Sequence, residues 1–197
     1  MNVDIFYYLN NTQPEKILKV AKMLNGIQSY FQFCPKRVEQ TEICRTETVS
    51  WNVFRKVQIP IYGQHTIYIT RKAFSDNWFS HEEAQYAVIS TNDWEKNFDY
   101  IPVELFLIYQ IAQAVINFAT GLSERTELNM THLDTRGCMF DQCMNKCDIV
   151  VGMKKGLICN DCKSILSHKL SDLDALYAVQ KMLDCVKESI ANELPEE

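Results

Sequence analysis

Five of the chain's eight cysteines fall between residues 138 and 162, and this clustering restricts the fold more than any other stretch does. The segment reads Cys138-Met-Phe-Asp-Gln-Cys143-Met-Asn-Lys-Cys147, then eleven residues, then Cys159-Asn-Asp-Cys162. Two close thiol pairs across a short loop suit one tetrahedral zinc ion. So short a segment cannot bury a core of its own, so the metal would supply part of its folding energy. Cys138, Cys143, Cys159 and Cys162 form a regular C-x4-C and C-x2-C and are the expected ligands of one structural zinc. Cys147 is then the spare thiol. His132, six residues before Cys138, is the alternative fourth ligand and would give a Cys3His site. Buried free thiols and disulfides are the competing explanations.

The rest of the chain is globular in composition. Its 197 residues are 47% hydrophobic and 23% charged, enough for a real core. One domain is expected over residues 1–197: a mixed β-sheet with a crossover helix in 1–100, then a long central helix, the zinc segment and a C-terminal helix in 101–197. A formal net charge of -5 argues against nucleic-acid binding driven by bulk charge. The start, Met1-Asn-Val-Asp4, has no basic leader, and metal-type cysteine spacing fits a reducing cytoplasm. Residues 101–122 carry one charge, Glu104. Gln110, Gln113 and Asn117 interrupt the stretch and no basic flank follows closely, so a buried core helix is expected rather than a membrane span.

Local patterns define the order of elements. Val3 to Leu9 reads as a buried strand. Pro14 opens a helix with Ile17, Val20, Ala21 and Leu24 on one face, ending at Asn25-Gly26. Tyr30 to Phe33 reads as a second strand, stopped by Pro35. Strand, helix, strand implies a right-handed crossover and parallel pairing. Val57 to Tyr62 and Thr66 to Thr70 are β-rich with Gly63 between them, a pattern that fits either a hairpin or two neighbouring strands. Trp78 to Glu83 reads as a loop or short helix, and Tyr86 to Ser90 as a strand. Pro102 starts the long helix, which runs to about Gly121. Ser171 and Asp174 form a capping-box pattern ahead of a final helix with Leu173, Leu176, Val179, Leu183 and Val186 on one stripe. The predicted class is α+β.

This element order and the cysteine spacing resemble the archaemetzincins, a branch of the metzincin zinc peptidases. The resemblance rests on Cys138-x4-Cys143 and Cys159-x2-Cys162. It implies a mixed sheet ahead of an active-site helix with HExxHxxGxxH, and a structural zinc on the four cysteines. The chain has no HExxH. At the matching helix Tyr109 and Gln113 stand for the first two histidines, Gln110 for the general base and Ala119 for the third histidine. At about 100° per residue, Tyr109, Gln110, Gln113 and Asn117 share about a third of the helix circumference. An amide is a poor zinc ligand and cannot take a proton as a carboxylate does. These four residues therefore form a degenerate active-site face, or else the polar stripe of a core helix. No catalytic residue is assigned.

Other chemistries leave weaker traces. No Gly-rich phosphate loop or GxSxG elbow occurs. His65, His81, His132 and His168 do not pair at helical spacing. Cys34, Cys44 and Cys185 read as small buried hydrophobes. The expected function is a non-catalytic, zinc-stabilised module that contacts a protein partner, with zinc as its cofactor. One alternative is a nucleic-acid-binding zinc ribbon using Lys146, Lys154, Lys155, Lys163 and Lys169. The other is a hydrolase with an unrecognised site at Asp134, Asp141 or Asp148.

Overall fold

The structure is a computed structural model that describes residues 1–8, 13–38, 46–50, 52–53, 65–122 and 130–193. Five strands form one mixed sheet: β1 (Asn2–Tyr8), β2 (Gln32–Val38), β3 (His65–Thr70), β4 (Ser80–Glu82) and β5 (Tyr86–Ser90). Their order is β2-β1-β3-β5-β4. The first three pairings are parallel and β4 runs antiparallel to β5. Six helices complete the described fold: α1 (Pro14–Ile27), α2 (Trp94–Asn97), α3 (Val103–Thr120), α4 (Asp148–Lys155), α5 (Asn160–Lys169) and α6 (Asp174–Glu193).

Strand alternation divides the apolar residues between the two faces of the sheet. Val3, Ile5, Ile67, Ile69, Ala87 and Ile89 belong to the main core with α1, α3 and α6. Phe6, Tyr68 and Val88 align across the neighbouring strands and pack with Val49 and Phe74 in a second cluster. The crossover from β1 through α1 to β2 is parallel, as the opening pattern requires.

Helix α3 is apolar over most of its circumference and is buried there, with Glu104, Gln113, Ala119 and Thr120 only partly covered. Phe106, Ile111, Val115 and Phe118 are essentially inaccessible. Trp94 stacks on Phe106 with ring centroids 4.1 Å apart, and its indole N–H donates to the Ile101 carbonyl at 2.9 Å. Pro102 is the N-cap, and Gly121 closes the helix in the left-handed conformation at φ 66°, where a side chain would be strained. The helix is long and apolar enough to cross a membrane, but 78% of it lies inside the protein, as in the core helix of a soluble fold.

Four local expectations are corrected. β2 continues through Pro35 to Val38, because it is an edge strand where a missing N–H costs no ladder bond. Residues 80–82 form β4 rather than a loop or helix, since pairing with β5 overrides weak local preference. β3 lies between β1 and β5 in parallel, so its described neighbours are not hairpin partners; the expected strand Val57 to Tyr62 lies outside the described residues. On α6, Leu173 is half exposed and precedes the helix, while Ala175, Ala178, Val179, Met182, Leu183, Val186 and Ile190 make the buried stripe. The start of α6 is held by Asp172, whose carboxylate accepts the Asp174 N–H at 2.9 Å.

Candidate metal centre and the adjoining cleft

The cysteine segment wraps onto the buried side of α3 and builds its own short ladders. His132 pairs with Asp141, with the His132 N–H on the Phe140 carbonyl at 3.0 Å and the Gln142 N–H on the His132 carbonyl at 2.8 Å. Cys138 pairs with Leu157. Asp141 fixes the turn between them, accepting the N–H groups of Gly137 and Cys138. Cys159 is the N-cap of α5, and its sulfur accepts the Cys162 N–H at 3.5 Å.

These connections bring together His132, Cys138, Cys159 and Cys162, whose ligand atoms all lie within 4.8 Å of one another. His132 Nε2 is 3.2 Å from both Cys159 Sγ and Cys162 Sγ. Cys138 Sγ accepts the Cys159 N–H at 3.3 Å. Cys138 and Cys162 are fully buried. Hydrogen bonding from the Cys162 thiol draws Cys138 towards thiolate, and the same contact with its coupled charge pushes Cys162 up. A divalent ion bound there would displace the remaining thiol protons. One imidazole and three thiolates at this spacing match the donor set of a closed tetrahedral zinc site.

Cys143 is not in this group. It follows the 140–142 pairing, and its sulfur points to the Asp141 carbonyl at 3.7 Å and into a neighbouring cleft. His132 occupies the fourth position because its ladder with Asp141 lays it across the Cys159–Cys162 turn. Cysteine spacing alone favoured the regular C-x4-C; the available signal for His132 was its nearness to Cys138 in sequence. Cys147 is exposed at the start of α4.

The cleft has a volume of about 620 Å³ and lies between β4, α3 and residues 139–143. Tyr109, Gln110 and Gln113 line it, so three of the four residues of the presumed degenerate face share one wall. The fourth, Asn117, is buried and donates through its amide to Glu82 of β4. The amides of this face are only partly hydrogen-bonded: Gln110 is buried, and its Oε1 has no hydrogen-bond partner among the described residues. Burial above all pushes the Tyr109 phenol well up and keeps it neutral. Its hydroxyl lies against the backbone of α4 at Gly152, where even a methyl group would overlap it.

The remaining polar candidates have local tasks. Asp134 pairs with Arg136 at 2.8 Å, and Asp148 accepts the Asn145 N–H at 3.0 Å at the start of α4. Lys154 and Lys155 end α4, and Lys155 donates to the Arg136 carbonyl at 2.7 Å. His81 sits 2.9 Å from Asp76 on the cleft wall. Cys143 in the same cleft is driven by burial up to about 12, so its thiol stays protonated.

No family model and no curated relative matches the sequence. Two solved structures have similar folds. The archaemetzincin of Methanopyrus kandleri superposes with a TM-score of 0.55 at 12% identity, over 86% of this chain and 94% of that one. The archaemetzincin of Archaeoglobus fulgidus, solved with malonate, gives 0.54 at 16% identity, over 83% of this chain and 99% of that one. The fold is therefore archaemetzincin-like, with a His/Cys group suited to zinc.

Proposed function

We propose that the chain is a non-catalytic, zinc-stabilised protein of the reducing cytoplasm that acts by binding another protein. One zinc would be held by His132, Cys138, Cys159 and Cys162, a revision of the set with Cys143 that follows from the clustering of ligand atoms. The metal would pin the 132–141 ladder to α5 and supply folding energy. The observation that carries the functional reading is the wall of the cleft. Tyr109, Gln110 and Gln113 present a neutral phenol and two amides where a peptidase of similar fold would carry metal ligands and a base. A neutral phenol and amides do not generate a hydroxide nucleophile.

The cleft still suits an extended peptide. Among the described residues β4 has a strand neighbour on one side only, so an added strand would gain main-chain hydrogen bonds along its other edge. Gln110, with its buried Oε1 unpartnered among the described residues, offers an acceptor inside the same cleft. The loop 123–136 is the second expected contact surface; of it, 130–136 are described.

Metal analysis of the native protein should give one zinc per chain. A partner recovered from native cells should be lost with Gln113→Arg and retained with Cys147→Ser. Casein cleavage that survives purification and vanishes with Gln110→Ala would overturn the reading in favour of a hydrolase. Salt-sensitive DNA or RNA binding without a protein partner would favour the zinc ribbon.

A further inference from the structure

A second cavity, of about 450 Å³, lies at the carboxyl ends of the parallel strands, away from the zinc group and the cleft. Gln13 and Lys16 of the first turn of α1 form one side, Arg71 beyond β3 another, and the 91–96 turn the third. Ile17, Ile69, Trp94 and Leu107 supply its apolar surface.

Topology explains why a crevice exists there. β1 and β3 are neighbours, but the chain leaves them towards opposite faces. After β1 it enters α1 on the main-core face. After β3 it turns through Arg71 to Phe74, which packs with Phe6 and Tyr68 on the other face. Diverging connections leave a gap outside the strand ends, and open parallel sheets bind small ligands at such switch points.

The charges are selective. Three cations, Lys16, Arg71 and Lys96, face two carboxylates, Asp93 and Glu95, in a chain of net charge -5. Lys16 is committed to Glu95 at 2.5 Å, and the Asp93 carboxylate accepts from the Asn92 amide at 2.9 Å. Arg71 and Lys96 are exposed and make no side-chain hydrogen bond or salt bridge among the described residues, although the Arg71 charge reaches Glu95 and helps hold its carboxyl below the ordinary range, after the hydrogen bond from Lys16. A guanidinium fork and an ammonium beside an apolar floor suit phosphoryl oxygens attached to a carbon skeleton. The cavity size is that of a small-molecule site.

The geometry points to this crevice as a binding site for a small organic phosphate, with Arg71 and Lys96 on the phosphoryl group and the carbon body against Ile17, Ile69 and Leu107. The positive end of α1 adds to the same field. This site is independent of the protein-binding cleft and of zinc chemistry.

Phenyl phosphate is the probe, titrated into the intact zinc-loaded protein by calorimetry, with the Trp94 indole resonance as a local reporter. Binding should shift that resonance, exceed that of benzoate and of inorganic phosphate, and weaken about tenfold or more in Arg71→Ala, the loss of one charge-assisted hydrogen bond. Arg71→Lys should retain part of the affinity, and Gln113→Ala in the cleft should bind as the parent does. Absence of binding, insensitivity to Arg71→Ala, or loss through Gln113→Ala would overturn the proposal. Equal binding of benzoate would overturn the assignment of phosphate.

Discussion

Replacing Gly152 with alanine tests how the Tyr109 side chain is used. In α4 the added methyl would overlap the Tyr109 hydroxyl and come within 3.2 Å of its ring carbon Cζ. The obstacle is a fully buried ring rather than the free end of a flexible chain. Overpacking of this kind costs about 1–3 kcal/mol. Alanine in place of a helical glycine returns about 1 kcal/mol, so the net destabilisation should reach about 2 kcal/mol where the buried ring cannot move. Tyr109→Phe removes the overlapping oxygen and leaves the 3.2 Å ring contact, which small shifts can relieve. The double variant should therefore lose less than the two single losses together, with a coupling of about 1 kcal/mol. Urea unfolding of the four proteins, followed by circular dichroism with zinc in excess, gives the cycle directly. At this chain length 1 kcal/mol corresponds to about 2–4 °C in Tm. A Gly152→Ala protein at least as stable as the parent, or additive losses, would show that Tyr109 does not fill the space against α4.

Three further outcomes follow from the same structure. His132→Ala and Cys159→Ser should each lose zinc and loosen the C-terminal third, whereas Cys143→Ser and Cys147→Ser should keep one zinc per chain by metal analysis; zinc loss from Cys143→Ser with retention in His132→Ala would reverse the ligand choice. Phe106→Ala should cost about 3–5 kcal/mol in chemical denaturation, since its ring is fully buried between Trp94 and Phe79. His65, whose ring stacks on Phe118 at 5.1 Å, titrates below its ordinary value because burial disfavours the imidazolium and the N-terminal charge adds to this. The unfolded chain then binds the proton first on acidification, so this stabilisation is present above about pH 6.5 and declines as pH falls below it. His65→Gln should flatten that part of the stability profile.

The elements with strong periodicity were legible in the sequence. The run 2–8, the Pro14 helix and the 103–120 helix carry their own start signals and apolar patterns, and the α3 bounds differ from the Pro102 and Gly121 cues by one residue each. Strand β4 was not legible, because Ser80-His81-Glu82 has no apolar alternation and exists only through pairing with β5. Nor was the end of β2, where Pro35 is tolerated by edge position rather than by local preference. At the candidate centre, Cys138, Cys159 and Cys162, singled out in the sequence by spacing, lie together in the His/Cys group. The fourth position depends on the ladder between His132 and Asp141, a contact over nine residues that no spacing rule encodes. The switch-point cavity was invisible for the same reason: Lys16, Arg71 and Lys96 are far apart in the chain and meet only through strand order.

The two borders of the sheet are unequal. On β2, Pro35 offers no amide hydrogen, and Lys36 and Arg37 are exposed beside it. Proline and positive charge there discourage a further strand. β4, at the other border, is three residues long and faces the cleft. Among the described strands, growth of the sheet is thus favoured at β4 over β2. A guest strand received at β4 would tend to terminate the assembly, since the β2 border discourages docking onto another molecule in its turn. The expected stoichiometry is one guest per chain, and open-ended fibrils built edge upon edge are disfavoured by the same asymmetry.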